Sequence, residues 1–316
     1  MQRLLPAAAD FAVSSMGACE FRWIRIDPTT RRRRPGDAYY QREGRRRRSG
    51  PAVVARFPSN AFHVETPRRR ARRSVHGSSG RLRGYGDSSQ VTDKADHSSY
   101  SFRAMAADQV EVMATLGFDR FTVIGHDRGA RVAHRMATDK PSVVERLGLL
   151  DILPTSYMYS HLDRQVATAY YHWLFFVQPY DLPERLIGAD PSYYLRSLLG
   201  RWGTASATHQ PEALTEYERC FSNASVRHAM MEDYRAGASI DLEHDDEGSL
   251  IAAPTLVLWG ERGVVARAEG GPLTIWRDKA VNPQNVEGFP IPAAGHFLIE
   301  EAYEPTRDLI VDFLRA

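Results

Sequence analysis

Arg120-Phe-Thr-Val-Ile-Gly125-His126-Asp127-Arg128-Gly129-Ala130-Arg131 is the stretch that decides the fold. Phe121 to Ile124 is a short apolar, β-branched run of the kind that fills a strand buried in a parallel sheet. It leads into Gly125-His-Asp-Arg-Gly129, and Ala130 to Thr138 then reads as a helix. Strand, tight turn and helix in that order make the elbow that lifts a nucleophile above a sheet, with aspartate where an esterase keeps serine. The two glycines suit a turn that is strained and crowded by neighbouring backbone.

The flanking sequence agrees. Upstream, Ala104 to Leu116 places Met105, Val110, Met113 and Leu116 on one helical face. Downstream, Val144 to Leu150 is a second strand that ends at Asp151, and Pro254-Thr-Leu-Val-Leu-Trp-Gly260 is a third. Leu309 to Leu314 closes the chain as an amphipathic helix. Strands alternating with helices specify an α/β protein with a mostly parallel sheet and helices on both faces. Between the second and third strands the character changes. Tyr170-Tyr-His-Trp-Leu-Phe-Phe176 is dense in aromatics, and Tyr193, Tyr194, Trp202, Tyr217 and Tyr234 follow. A helical insertion of this type reads as a cap over an active site, although most of these rings serve simply as its core. The expected division is an arginine-rich N-terminal segment, disordered or out of frame (1–83), a first core part (84–154), a cap (155–245) and a second core part (246–316).

An aspartate nucleophile sets the reaction class. A carboxylate displaces a leaving group from saturated carbon and becomes an ester, which water must then hydrolyse with the help of a general base and its orienting partner. His296, in Gly295-His-Phe297, is the candidate base. Asp151 is the preferred orienting acid because it stands at a carboxyl strand end, and Glu261 is the competing choice. Arg128 and Arg131 lie at the start of the elbow helix, where the helix dipole favours an anion, and as a pair they suit a small carboxylate. The scheme needs no metal or cofactor.

Composition bounds the rest. The 316 residues are 43% hydrophobic and 25% charged, which excludes a fibrous or wholly disordered chain. Two cysteines exclude a disulfide scaffold, and with no export signal they indicate a cytoplasmic protein. No apolar run reaches eighteen residues, so no membrane partner is expected. The net charge of +2 averages two unlike parts. Residues 1–83 hold 20 arginines, no lysine and 6 acids, a balance of +14, whereas residues 84–316 carry −12. A phosphate-binding tail normally mixes lysine with arginine, so nucleic acid is not the expected partner. Arginine without lysine is what a GC-rich gene yields when read out of frame, and we adopt that reading.

The motifs Gly84-Tyr-Gly-Asp-Ser-Ser89, Ser101-Phe-Arg-Ala-Met-Ala-Ala-Asp108, Gly125-His-Asp-Arg-Gly-Ala-Arg131, Leu150-Asp-Ile-Leu-Pro-Thr155, Tyr171-His-Trp173, Glu232-Asp-Tyr-Arg-Ala-Gly-Ala238 and Gly295-His-Phe297 resemble the haloacetate (fluoroacetate) dehalogenases of the α/β-hydrolase superfamily. The resemblance runs from about Leu82 to the C-terminus. It implies Asp127 as nucleophile, His296 as base and Asp151 as acid. It further implies that Arg128 and Arg131 hold the substrate carboxylate, and that His172, Trp173 and Tyr234 donate to the departing halide. Backbone at Phe57 and Arg128 would form the oxyanion site, and a homodimer is implied. The family's His-Gly-Phe-Pro loop is reduced here to Phe57-Pro58, and its N-terminal strands are not legible where arginine takes over. A chain made as written is therefore expected to fold poorly and be weakly active. An epoxide hydrolase of the same fold and an arginine-rich nucleic-acid-binding protein with an inactive body are the competing readings.

Mass spectrometry of the protein from its native source should find no peptides from residues 1–83. Peptides spanning the arginine runs would establish that frame as the native one.

Overall fold

The computed structural model describes residues 81–203 and 211–316, together with the backbone of four short strands nearer the N-terminus. These are β1 (Phe11–Val13), β2 (Ala52–Ala55), β3 (Phe62–Val64) and β4 (Gly77–Ser79). The main strands are β5 (Phe121–His126), β6 (Val144–Leu150), β7 (Thr255–Gly260) and β8 (Val286–Ile291). β1 and β3 pair antiparallel, and the other six form one parallel sheet in the order β4-β2-β5-β6-β7-β8. Gly-Ser-Ser in β4 has no strand periodicity, so pairing with β2 rather than local preference defines it. Phe57 and most of the arginine-rich segment lie outside the described residues.

Every residue of β5 is buried, as its unbroken apolar run requires. Successive side chains point to opposite faces. Val123, Leu149 and Val257 join the larger apolar cluster beneath the elbow helix α2 (Arg128–Asp139). Ile124, Leu150, Leu256 and Leu258 join a second cluster closed by Phe313 of the last helix. Helix α1 (Phe102–Thr115) starts at Ser101, whose side chain caps Ala104 N–H, two residues earlier than apolar spacing alone suggests. The edge strand β8 escaped the sequence reading: Pro290 interrupts it and only Val286 and Ile291 are buried.

Eight helices lie between β6 and β7 among the described residues. They are α3 (Thr155–Ser160), α4 (Arg164–Ala169), α5 (Tyr171–Phe176), α6 (Leu182–Ala189), α7 (Pro191–Trp202), α8 (Pro211–Phe221), α9 (Ala224–Gly237) and α10 (Ile240–Asp246). After β7 come α11 (Pro272–Arg277), α12 (Leu298–Glu301) and α13 (Tyr303–Arg315). Helix α9 is the spine of the insertion and is buried from Met230 to Gly237. No helix among the described residues is long and apolar enough to cross a membrane.

His228 on α9 clips the insertion together, with Nδ1 on Glu184 of α6 (3.1 Å) and Nε2 on Asp93 (2.7 Å). The bond to Glu184 outweighs partial burial and, with Asp93, raises the imidazole pKa to about 9. A raised folded-state value adds stability that is complete below the unfolded value of about 6.5 and is lost as pH rises through 9. The melting temperature should accordingly fall between pH 6.5 and 9 by a component that His228→Gln removes. An unchanged profile in that variant would refute the clip.

Candidate active site

Register along the carboxyl edge of the sheet assembles the site. Gly125 lies opposite Leu149 and His126 opposite Leu150, so the residues that follow, Asp127 and Asp151, emerge side by side. Asp127 takes φ 52° and ψ −125°, a backbone conformation that costs an L-residue about 1–3 kcal/mol. The turn closes because Gly125 lacks a side chain: a Cβ there would stand 2.4 Å from the Gly129 carbonyl oxygen. Asp151 also has positive φ, 50°.

Asp151 is fully engaged. Its Oδ1 accepts from the Gly260 amide (2.9 Å) and its Oδ2 from Nδ1–H of His296 (2.7 Å). Glu261, the competing acid, instead accepts from the amide of Ala293 (3.0 Å), beneath the loop that carries His296. The other imidazole nitrogen, Nε2, lies 3.6 Å from Oδ2 of Asp127. The loop is held at two further points: His126 Nε2–H donates to the His296 carbonyl (2.8 Å), and the His296 amide donates to the Trp202 carbonyl (3.0 Å).

The charges are strongly perturbed. Burial opposes ionisation of Asp127, but the adjacent His296 imidazole and the nearby positive groups outweigh it and hold the carboxyl well below the usual range. Burial likewise opposes protonation of His296, and the adjacent Asp127 carboxylate together with the bond to Asp151 overcomes this and raises it to about 9. For Asp151 burial wins, and its pKa is raised despite the bonds from His296 and Gly260.

The two arginines are not equivalent. Arg128 is buried with Nε and Nη2 on the carboxylate of Asp233 in α9, and its guanidinium lies between the rings of Phe102 and Tyr234. Tyr85 donates to the same carboxylate (2.5 Å). Arg131 lines the cavity above Asp127, with Nη1 on the Leu153 carbonyl (3.0 Å) and on Thr155 Oγ1 (2.8 Å), and its Nε buried without a partner. The intended carboxylate pair thus comes apart, one member in the wall and one a layer behind it.

The cavity is about 10 Å³, roughly the space of one water molecule by that measure. Asp127, Arg131, Asp151, His172, Trp173 and His296 all line it, whereas Tyr234 stands behind, its ring 5.8 Å from that of His172. His172 is kept neutral, burial holding its pKa well below the usual range, and its Nδ1 has no partner. The amide of Arg128 is the first of α2, where no intrahelical acceptor exists. Sequence reasoning missed Tyr170 and Trp202, which also line the cavity, and the Trp202 indole N–H is buried without a partner. Tyr170 opens the aromatic-dense stretch and Trp202 follows it in the insertion, but nothing local distinguishes either from core rings.

A family model for the alpha/beta hydrolase fold matches residues 82–303. The chain belongs to the α/β-hydrolase family. Among the family's curated members, this hydrolase is 42% identical to a fluoroacetate dehalogenase from Burkholderia sp, over 74% of its own length and 76% of the relative's. It is 29% identical to a soluble epoxide hydrolase from Corynebacterium sp. (strain C12), over 73% and 78% of the two chains. A solved α/β hydrolase structure from Nostoc sp PCC 7120 is similar with a TM-score of 0.74 and 42% identity, covering 97% of this chain and 98% of that one.

A Cβ on Gly260 would fall 1.9 Å from the Gly295 carbonyl oxygen. Gly260→Ala should therefore push the His296 loop outward, costing roughly 1–3 kcal/mol in stability and about 100-fold in turnover. Denaturant melts and steady-state kinetics check both, and an alanine variant with wild-type turnover would contradict the assembly described.

Proposed function

We propose that this hydrolase removes halogen from short 2-haloacids such as fluoroacetate, giving the 2-hydroxy acid and halide. Asp127 attacks C2; the new C–O bond forms as the carbon–halogen bond breaks, and the halide leaves with the bonding pair. Water then adds to the Asp127 ester carbonyl while His296 Nε2 takes its proton. Collapse expels the hydroxy acid, which receives that proton from His296, and the second water proton, left on the Asp127 carboxyl, passes to His296 and so restores the carboxylate and the imidazolium.

The observation that carries this reading is a carboxylate, rather than a hydroxyl, at the elbow beside His296, in a cavity walled by Arg131 with a partnerless Nε. Arg131 is assigned to the substrate carboxylate and Arg128, charge-shared with Asp233, to a supporting role. The neutral His172 with its orphan nitrogen and Trp173 are assigned to the halide, backed by Tyr234; such preorganised donors in a dry site stabilise a poor leaving group. The Arg128 amide serves the oxyanion of the second step, with Phe57 as the partner implied by resemblance. The tight cavity favours two-carbon acids, and the fluoroacetate dehalogenase relative supports the same substrate class.

His296 has a second task in this scheme. Its pKa of about 9 depends partly on the anionic Asp127, so it is protonated in the resting site at neutral pH. Ester formation removes that negative charge, lowers the imidazole pKa and releases the base when it is needed. Halide release in the first turnover should then be insensitive to pH from 6 to 8, whereas ester hydrolysis should slow as pH falls. His296→Asn should release one equivalent of halide in a burst and retain the acyl-linked substrate on Asp127, seen as an added mass. Halide release without an adduct would overturn the two-step scheme. Arg131→Ala should raise KM roughly thirtyfold, about 2 kcal/mol, for loss of a charged hydrogen bond.

Epoxide hydrolysis is the second reading, favoured by Tyr170 in the cavity wall and by the epoxide hydrolase relative. Diol from styrene oxide without halide from fluoroacetate would select it.

A further inference from the structure

Outside the catalytic cavity lies a second hollow of about 590 Å³, and the two share Tyr170, Trp202 and His296 as a common wall. Three arginines line the outer hollow, Arg201, Arg262 and Arg267, and among the described residues no carboxylate does. Arg201 lies in the last turn of α7, where the helix dipole favours a cation, and its guanidinium lies 5.4 Å from the centre of the Tyr171 ring. Arg262 is fixed through its amide on the Ala294 carbonyl (2.9 Å), two residues from the catalytic histidine. Arg267 closes the short helical turn Val265–Arg267. All three are exposed, and none makes an ion pair with a described carboxylate.

The rest of the body makes this arrangement consequential. Residues 84–316 carry a balance of −12, and against that background the three arginines concentrate positive charge in the hollow. A concave site lined by one sign of charge concentrates counter-ions and can speed their capture by one to three orders of magnitude, an effect that salt screens.

We infer that the outer hollow is a cationic antechamber that captures small carboxylate anions and passes them across the Tyr170–Trp202–His296 wall to Arg131. The inference rests on the haloacid reading and adds to it that the substrate must enter as its anion. Arg262 and Arg267 act before chemistry and touch no reacting atom.

The test compares wild type with Arg262→Gln/Arg267→Gln, Arg262→Lys/Arg267→Lys, and Arg196→Gln/Arg315→Gln. The last variant removes two exposed charges away from the hollow. With chloroacetate at low ionic strength, kcat/KM should fall roughly tenfold in the first variant and lose most of its salt dependence. The lysine variant should retain both, and the remote variant should behave as wild type. Equal losses in the remote variant, or wild-type kcat/KM and salt dependence in the first, would overturn the antechamber. A second measurement needs no turnover: glycolate titration followed by tryptophan fluorescence should weaken in the first variant alone, and unchanged binding there also refutes the proposal. A wild-type chain that releases no halide, yet shows this pattern with glycolate, would sink the haloacid reading and leave the antechamber standing.

Discussion

One imidazole between two buried carboxylates is the interaction on which the site depends. Burying a single charge costs several kcal/mol, and a site with three carboxylates, Asp127, Asp151 and Asp233, needs compensation. Arg128, Arg131 and protonated His296 supply it. The cluster is balanced at rest with three charges of each sign. An incoming carboxylate disturbs that balance by one negative charge, and converting Asp127 to an ester removes one. In the proposed cycle the bound carboxylate adds one negative charge to this cluster, ester formation passes the charge of Asp127 to the departing halide, and His296 then gives up its proton.

The fold makes that balance by geometry rather than by local sequence. Three carboxyl ends of parallel strands fall level, and each contributes one element: Asp127 after β5, Asp151 after β6, and the Gly260 amide that orients Asp151 from β7. Gly125 and Gly260 permit the two closest backbone approaches. The helical insertion supplies the other half: α5 brings His172 and Trp173, α7 brings Trp202 and Arg201, and α9 brings the carboxylate that restrains Arg128. Loss of either half exposes Asp127, the proposed nucleophile, to water, where a carboxylate is a poor attacker.

Much of this was legible in the amino-acid order. The run Phe121 to Arg131 specified strand, elbow and helix because each signal is local: β-branched residues, glycines, then helix formers. Asp151 could be preferred over Glu261 because strand ends are readable, and in the structure it is Asp151 that bonds His296. The pairing of Arg128 with Asp233 was not legible, since the two are 105 residues apart and neither segment signals the other. Tyr170 and Trp202 were hidden for a different reason: an aromatic helix reads the same whether its rings fill a core or face a cavity. Strand β8, interrupted by proline and half exposed, lacks the periodicity on which strand reading relies.

A single turnover in water enriched in heavy oxygen tests the central claim most directly. With enzyme in excess over chloroacetate, the glycolate formed should carry ordinary oxygen and the label should appear in the side chain of Asp127. Label in the glycolate of that first turnover would mean that water attacks the carbon itself, and the covalent account would be wrong.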